Sequence, residues 1–77
     1  MLAPPVMPYT TNTELPPPVR AHLPLRAQDI YRAAFNSAYE RYGPAGEATA
    51  HRIAWAAVKR RYMQRAPGVW VRRPPHA

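Results

Sequence analysis

Apolar side chains recur at helical spacing in two long stretches of the chain. Between residues 26 and 42 they return every three or four positions, with polar side chains between them. This is the period of one face of an α-helix. The apolar positions are Ala27, Ile30, Tyr31, Ala34, Phe35, Ala38 and Tyr42. Gly43 and Pro44 follow, and they predict the end of this helix because glycine favours a left-handed cap and proline often follows one.

The second stretch, residues 46–65, has the same period. Its apolar positions are Ala50, Ile53, Ala54, Ala57, Val58 and Tyr62. Pro67 predicts a stop, because a proline biases the preceding Ala66 away from helical backbone. The connection, residues 43–46, is short, and a short connection makes two helices antiparallel neighbours.

A shorter helix and two strands are predicted outside these stretches. Val19 and Leu23 have i, i+4 spacing and favour a helix over about residues 17–23, with polyproline II as the alternative. The segment around Tyr9 and residues 69–71 are rich in aromatic and β-branched side chains, which favour strands. The predicted fold is therefore mainly α: one short and two long antiparallel helices, with a two-stranded sheet that pairs the N- and C-terminal segments.

The prolines indicate the limits of the folded part. Seven of the eleven prolines lie before residue 25, and two more stand at positions 74 and 75. We expect a disordered lead over residues 1–6, a domain over residues 7–72 and a disordered tail over residues 73–77. Met7 is an alternative start, which would make the first six residues an extension.

A chain of 77 residues has room for one small domain. Such a domain buries only about 60% of the surface that its unfolded chain exposes, so it needs most of its large apolar side chains for the core. An aromatic ligand pocket is the alternative use of these side chains. The expected core consists of Tyr9, Ile30, Tyr31, Ala34, Phe35, Ala38, Ile53, Ala54, Trp55, Val58, Tyr62 and Trp70.

The positive charge belongs to the second half of the chain. Residues 1–47 carry four arginines and four acids, whereas residues 48–77 carry seven basic residues and no acid, which is the whole net charge of +7. A basic helix face is typical of surfaces that bind nucleic acid or anionic partners. A solvated face, enriched in arginine by base composition, is the alternative. The candidate binding residues are Arg52, Lys59, Arg60, Arg61, Arg65, Arg72 and Arg73.

Little in the chain indicates catalysis or metal binding. There is no cysteine, the three histidines have no metal-binding spacing, and no glycine-rich phosphate loop is present. We therefore expect no enzyme and no bound metal. His51 is expected to be a partly buried histidine bonded to backbone or to a neighbour such as Glu47, with a pH-sensitive or ligand-binding group as the alternative.

No stretch has the length of a membrane span. The longest apolar run, residues 53–58, is far shorter than the ~20 residues that a spanning helix needs. The first residues also lack the basic start and apolar core of a signal peptide. We expect a cytoplasmic protein that does not span a membrane.

The order of several short motifs resembles that of the ChaB family, small bacterial proteins named as proposed regulators of cation transport. The resemblance covers about residues 7–70. It is carried most specifically by Ala27-Gln28-Asp29-Ile30-Tyr31, Ala34-Phe35-Asn36-Ser37-Ala38 and Ala54-Trp55-Ala56-Ala57-Val58-Lys59. The resemblance implies about three helices with a small sheet joining the termini, no catalytic residue and no cofactor. It also implies a functional association with a sodium or calcium/proton antiporter.

Two features depart from the family pattern. The connection between the long helices is shorter here, and no acid follows Glu47.

We expect a regulator that binds a protein partner, such as a membrane cation antiporter or a larger assembly. The alternative is nucleic-acid binding through the basic side chains of residues 52–73, since related viral proteins have been suggested to bind nucleic acid.

Overall fold

The computed structural model of the protein describes residues 8–74. In chain order the elements are a 3₁₀ turn at Asn12–Glu14, helix α1 at Pro17–His22, helix α2 at Leu25–Tyr42, a 3₁₀ turn at Pro44–Gly46, helix α3 at Glu47–Arg61, strand β1 at Tyr62–Ala66 and strand β2 at Val69–Arg72. Three helices with one small antiparallel sheet confirm the predicted fold class. The predicted disordered lead, the start at Met7 and the end of the predicted tail lie outside the described residues.

Prolines begin the first two helices. Pro17 is the first residue of α1, where a proline loses no hydrogen bond, and the carbonyl of Pro16 accepts from the N–H of Val19 at 2.9 Å. Pro24 lies directly before α2, the position that Pro16 holds before α1. The short helix that the spacing of apolar residues predicts is therefore present.

A buried glutamine joins α1 to α2. The side-chain amide of Gln28 donates to the carbonyl of Leu23 at 2.8 Å, and its distance to the carbonyl of Arg20 is 3.4 Å. The last carbonyls of a helix have no partner within the helix. Gln28 supplies one from the first turns of the next helix and so fixes the angle between the two.

The turn after α2 takes the form that Gly43 predicts. Gly43 has a φ of +71°, a conformation that other L-residues adopt only with strain, and its N–H donates to the carbonyl of Tyr39 at 2.7 Å. Only Gly43 and the 3₁₀ turn Pro44–Gly46 separate α2 from α3. The short turn makes the two long helices antiparallel neighbours.

Helix α3 ends at Arg61, four residues before the predicted end at Arg65. Tyr62 has extended backbone (φ −129°, ψ 153°) and begins β1. Strand β1 pairs with β2 around a turn at residues 67–68, where Gly68 has a φ of +73°. Pairing with β2 decides the conformation of residues 62–66 against their helical pattern. Local periodicity does not report a pairing between two segments, so the sequence prediction missed it.

The sheet also differs from the expected pairing of the two chain ends. Both strands come from the C-terminal segment, and the segment around Tyr9 is not a strand. The reason is Asn36 in the middle of α2. Its side chain accepts from the Tyr9 N–H at 3.3 Å and donates to the Tyr9 carbonyl at 2.7 Å, so one amide takes the place of a partner strand.

The core runs through all three helices, with its members three or four residues apart within each helix. Its buried apolar members are Leu15, Val19, Leu23, Ala27, Tyr31, Phe35, Ala38, Ala50, Ala54, Val58 and Tyr62. Five residues of the expected core are only partly buried and pack against this set: Tyr9, Ile30, Ala34, Trp55 and Trp70. The buried residues before α2 lie in a proline-rich segment. Leu15 belongs to no helical repeat of apolar residues there, so the sequence pattern did not predict its burial.

Ile53 is the expected core residue that the structure places outside the core. Its side chain is 37% exposed. The buried line of α3 is the i, i+4 series Ala50, Ala54 and Val58, which is narrower than the predicted stripe. Ile53 lies beside that line and faces a groove at the surface, described below.

Candidate partner-binding surface

The structure divides the seven basic candidates into engaged and unengaged side chains. A side-chain nitrogen of Arg52 donates to the Thr49 hydroxyl at 3.1 Å. The Nε of Arg73 donates to the carbonyl of Lys59 at 2.7 Å, and its backbone N–H donates to the carbonyl of Arg61 at 2.8 Å. Because helix C-termini favour positive charge, Arg73 stabilises the end of α3.

The other five candidates are exposed. Within residues 8–74, no hydrogen bond or ion pair engages their side chains: Lys59, Arg60, Arg61, Arg65 and Arg72. Four of them line three different depressions of the surface. Arg60 lines a groove between α2 and α3, Arg61 and Arg72 line a separate depression, and Arg65 lies beside Pro67 near the hairpin turn.

The groove between the long helices, here called the α2–α3 groove, has a volume of about 300 Å³. It is lined by Ala34, Ser37, Ala38, Arg41, Tyr42, Ile53, Ala57 and Arg60. Alanines at three of these positions leave room between the helices. Ile53 and Tyr42 are its large apolar side chains, 37% and 48% exposed. Such a groove suits an apolar side chain of a partner.

Two arginines give the α2–α3 groove a positive charge. Arg41 comes from the last turn of α2 and Arg60 from the last turn of α3, and no acid lines the groove. Guanidinium groups bind carboxylates with paired hydrogen bonds. Sequence reasoning missed Arg41 and Tyr42 as site residues. What could have indicated them is their position at the end of α2, because the short turn packs this helix against α3.

Aromatic contacts hold the hairpin against α3. The rings of Trp55 and Trp70 lie 5.5 Å apart, and Trp55 meets the ring of Tyr31 edge-on at 5.3 Å. Aromatic pairs at such distances add to the energy of area burial. The stack fixes the hairpin, and with it Arg65 and Arg72, relative to the helices.

His51 lies inside the aromatic cluster. Its Nδ1 is hydrogen-bonded to the hydroxyl of Tyr31, and its ring centroid lies 4.4 Å from that of Phe35. Burial raises the pKa of the Tyr31 hydroxyl above its ordinary value, and the nearby Tyr9 adds to the shift. The expected bond to backbone or Glu47 is thus made to Tyr31 instead, and His51 contributes to packing between α2 and α3.

Within residues 8–74, no three histidine or acidic side chains converge in a way that could hold a metal ion. Likewise, none of the helices in this part of the chain is both long and apolar enough to cross a membrane.

Over residues 8–74 the fold defines a small, mainly helical protein with one two-stranded antiparallel sheet. Comparison with known proteins makes the class specific. The ChaB family model matches residues 15–73, most of the chain. The protein belongs to the ChaB family.

Named relatives extend the match. The proposed cation transport regulators ChaB of Escherichia coli K12 and of Shigella flexneri are each 44% identical over 72 residues, with 83% of this chain and 95% of the relative covered. The NMR solution structure of a proposed cation transport regulator ChaB superimposes with a TM-score of 0.78 at 41% identity. That match covers 87% of this chain and all of the other.

Proposed function

We propose that this protein regulates cation transport by binding a protein partner through the α2–α3 groove. The names of the relatives support a regulatory role. The observation that carries the proposal is the pairing of exposed apolar side chains, Ile53 and Tyr42, with two arginines in one groove. The action is that of a non-enzymatic binding protein in the cytoplasm.

The chemistry of the groove favours an acidic amphipathic segment. An apolar anchor buried against Ile53 and Ala57 gains roughly 25 cal/mol per Å² of surface removed from water. Carboxylates one helical turn from that anchor would meet Arg41 and Arg60. A helix laid into a groove with its apolar face inward is a recurring mode of peptide recognition. A cytoplasmic segment of a cation antiporter with this pattern is the proposed partner.

Nucleic-acid binding remains the alternative function. Its support is the set of five exposed basic side chains that no residue in 8–74 engages, Lys59, Arg60, Arg61, Arg65 and Arg72. The two functions differ in salt dependence. The logarithm of affinity for nucleic acid falls linearly with the logarithm of salt concentration, with a slope set by the phosphates contacted. An apolar anchor in a groove gives a much weaker dependence.

The test is affinity capture from lysate of the native cell, with and without nuclease treatment, followed by binding measurements with the purified partner. Wild type is compared with Ile53→Gln, which removes the apolar surface of the groove. Leu25→Gln is the matched control, since Leu25 is 71% exposed and lies outside the groove. We expect one partner in fixed stoichiometry, a loss of affinity with Ile53→Gln and none with Leu25→Gln.

Two results would overturn the proposal. Capture that disappears after nuclease treatment would assign the basic surface to nucleic acid. Equal affinity of wild type and Ile53→Gln for the purified partner would place the contact outside the α2–α3 groove.

A further inference from the structure

A second depression lies on another part of the surface, between the start of α2, the end of α3 and the end of β2. It has a volume of about 200 Å³. It is lined by Arg26, Asp29, Ile30, Arg61, Tyr62 and Arg72. None of these residues lines the α2–α3 groove. We call this feature the arginine depression.

Three arginines from distant parts of the chain line the arginine depression, and backbone pairing brings two of them, Arg61 and Arg72, together. Arg61 ends α3, and Arg72 lies opposite Tyr62 in the antiparallel ladder. The hydrogen bond from the Arg73 N–H to the Arg61 carbonyl, 2.8 Å long, ties the end of β2 to the end of α3. Arg26 comes from the first turn of α2. The arrangement therefore depends on the fold and not on a run of basic sequence.

The charges in the arginine depression are unbalanced. Within residues 8–74, no hydrogen bond or ion pair engages the side chains of Arg26, Arg61 or Arg72. The one lining acid, Asp29, is directed to other groups. Its Oδ1 accepts from the Asn12 amide at 2.7 Å and lies 4.0 Å from a nitrogen of Arg32. Three neighbouring cations repel one another, and a bound anion would relieve that repulsion.

The chemistry identifies the anion. Guanidinium groups present their N–H donors in a planar fork that matches the oxygens of a phosphate group. Several arginines around one depression suit a compact group with several oxygens and more than one charge. The side chains of Ile30 and Tyr62 add apolar lining on which such a group would be partly shielded from water. Shielding strengthens the attraction between opposite charges.

We propose that the arginine depression binds the phosphate group of a small soluble phosphate compound. The site shares no residue with the α2–α3 groove, so a phosphate ligand and a protein partner would bind to different residues and could be bound at the same time. The proposal stands on the arginine depression alone and does not need the proposed partner.

The test is an NMR titration of the full chain with inorganic phosphate at constant ionic strength, chloride being replaced as phosphate is added. We expect saturable shifts at the side-chain Nε–H of the three arginines and at the Tyr62 amide. Loss of one charged hydrogen-bonding partner should weaken binding by about tenfold, so Arg26→Gln and Arg72→Gln should each raise the dissociation constant by that factor. Arg65→Gln is the matched control, because Arg65 is an exposed hairpin arginine outside the depression.

A second variant separates specific binding from loss of structure. Asp29→Asn removes the negative charge that lines the depression, so it should tighten phosphate binding, which damage to the fold would not do. Glycerol 3-phosphate is titrated alongside. Tighter binding of this compound than of inorganic phosphate identifies a phosphomonoester as the ligand, and the reverse identifies free phosphate.

The proposal is overturned by shifts that rise without saturation or that are equal in Arg65→Gln and Arg26→Gln. Either result would mean that phosphate only screens the positive surface.

Discussion

The two halves of the chain use their polar side chains in different ways. In residues 8–47 several of them bond to other parts of the chain. Arg32 donates from Nε to the Asn12 side chain at 2.7 Å, and Arg20 donates from Nε to the Leu15 carbonyl at 2.9 Å. In residues 48–74 five basic side chains have no such bond within the part that the structure describes. The first half therefore uses several polar side chains to hold the fold, whereas five of the seven basic side chains of the second half face solvent.

The difference follows from the backbone of each half. Residues 8–16, the described segment before α1, contain one 3₁₀ turn and no strand, so many of their N–H and carbonyl groups need partners from side chains. Asn36 and Arg32 of α2 supply them for Tyr9 and Thr10. Helix α3 and the hairpin pair much of their backbone through regular hydrogen bonds. Among the basic side chains of residues 48–74, only that of Arg73 bonds to a backbone group within the part that the structure describes.

The largest expected effect comes from removing the ring that joins the two halves. Phe35 is fully buried and packs against the rings of Tyr9 at 4.9 Å and His51 at 4.4 Å. Phe35→Ala should lower the free energy of unfolding by ~3–5 kcal/mol, the usual cost of such a cavity. Urea denaturation measures the loss. Leu25→Ala, at a site 71% exposed, should change little, and a small loss with Phe35→Ala would show that the halves are not joined through this ring.

Detaching the N-terminal segment should have the next largest effect. Asn36→Ala leaves the N–H and carbonyl of Tyr9 without their partner, and unpaired buried groups cost ~1–3 kcal/mol. Amide hydrogen exchange at Tyr9 should accelerate, while exchange in α3 should change only through the lower global stability. Ser37→Ala, at the neighbouring exposed position, is the control. Unchanged exchange at Tyr9 would contradict the role given to Asn36.

A smaller effect should appear in the dependence of stability on pH. The pKa of Glu14 is held below its ordinary value of 4.5, first by the Thr10 hydroxyl and then by the N–H groups of Thr11 and Thr10. Between the lowered folded pKa and the unfolded pKa, the unfolded chain binds more protons, so stability rises with pH through that window. The stabilisation is present above pH 4.5 and is lost as the pH falls through the folded pKa.

The matched variant for this effect is Glu14→Gln. Thermal unfolding followed from acid to neutral pH should show a shallower rise in melting temperature for the variant than for wild type just below pH 4.5. Parallel curves would mean that the bonds of Glu14 in the 3₁₀ turn add nothing to stability.

The fold was largely predictable where it rests on local periodicity. Helix α2, predicted over 26–42, is observed at Leu25–Tyr42. The end of α3 was predicted wrongly because residues 62–65 suit a helix locally, and their pairing with β2 decides otherwise. The Tyr9 segment was predicted as a strand because its composition favours one. The backbone of Tyr9 bonds instead to the side chain of Asn36, and no repeat of apolar residues indicates such a contact.

The candidate site was less predictable than the fold. The sequence shows that the charge lies after residue 47, but not which face each side chain takes. Arg73 was expected at the binding surface, and the structure uses its Nε at the end of α3. Arg41 and Arg26, from the first half, line the two surface features instead. Their roles depend on tertiary contacts between elements that are distant in the chain.

The contrast between the halves is tested most directly by the free energy of unfolding of a chain in which Arg60, Arg61, Arg65 and Arg72 are all replaced by glutamine. Surface substitutions away from structural contacts usually change stability by no more than about 0.5 kcal/mol each. We predict that the fourfold variant unfolds at the same urea concentration as wild type or higher, since mutual repulsion among the arginines is removed. A loss of more than about 2 kcal/mol, the summed limit for four such sites, would contradict the account, because these side chains would then hold the fold together.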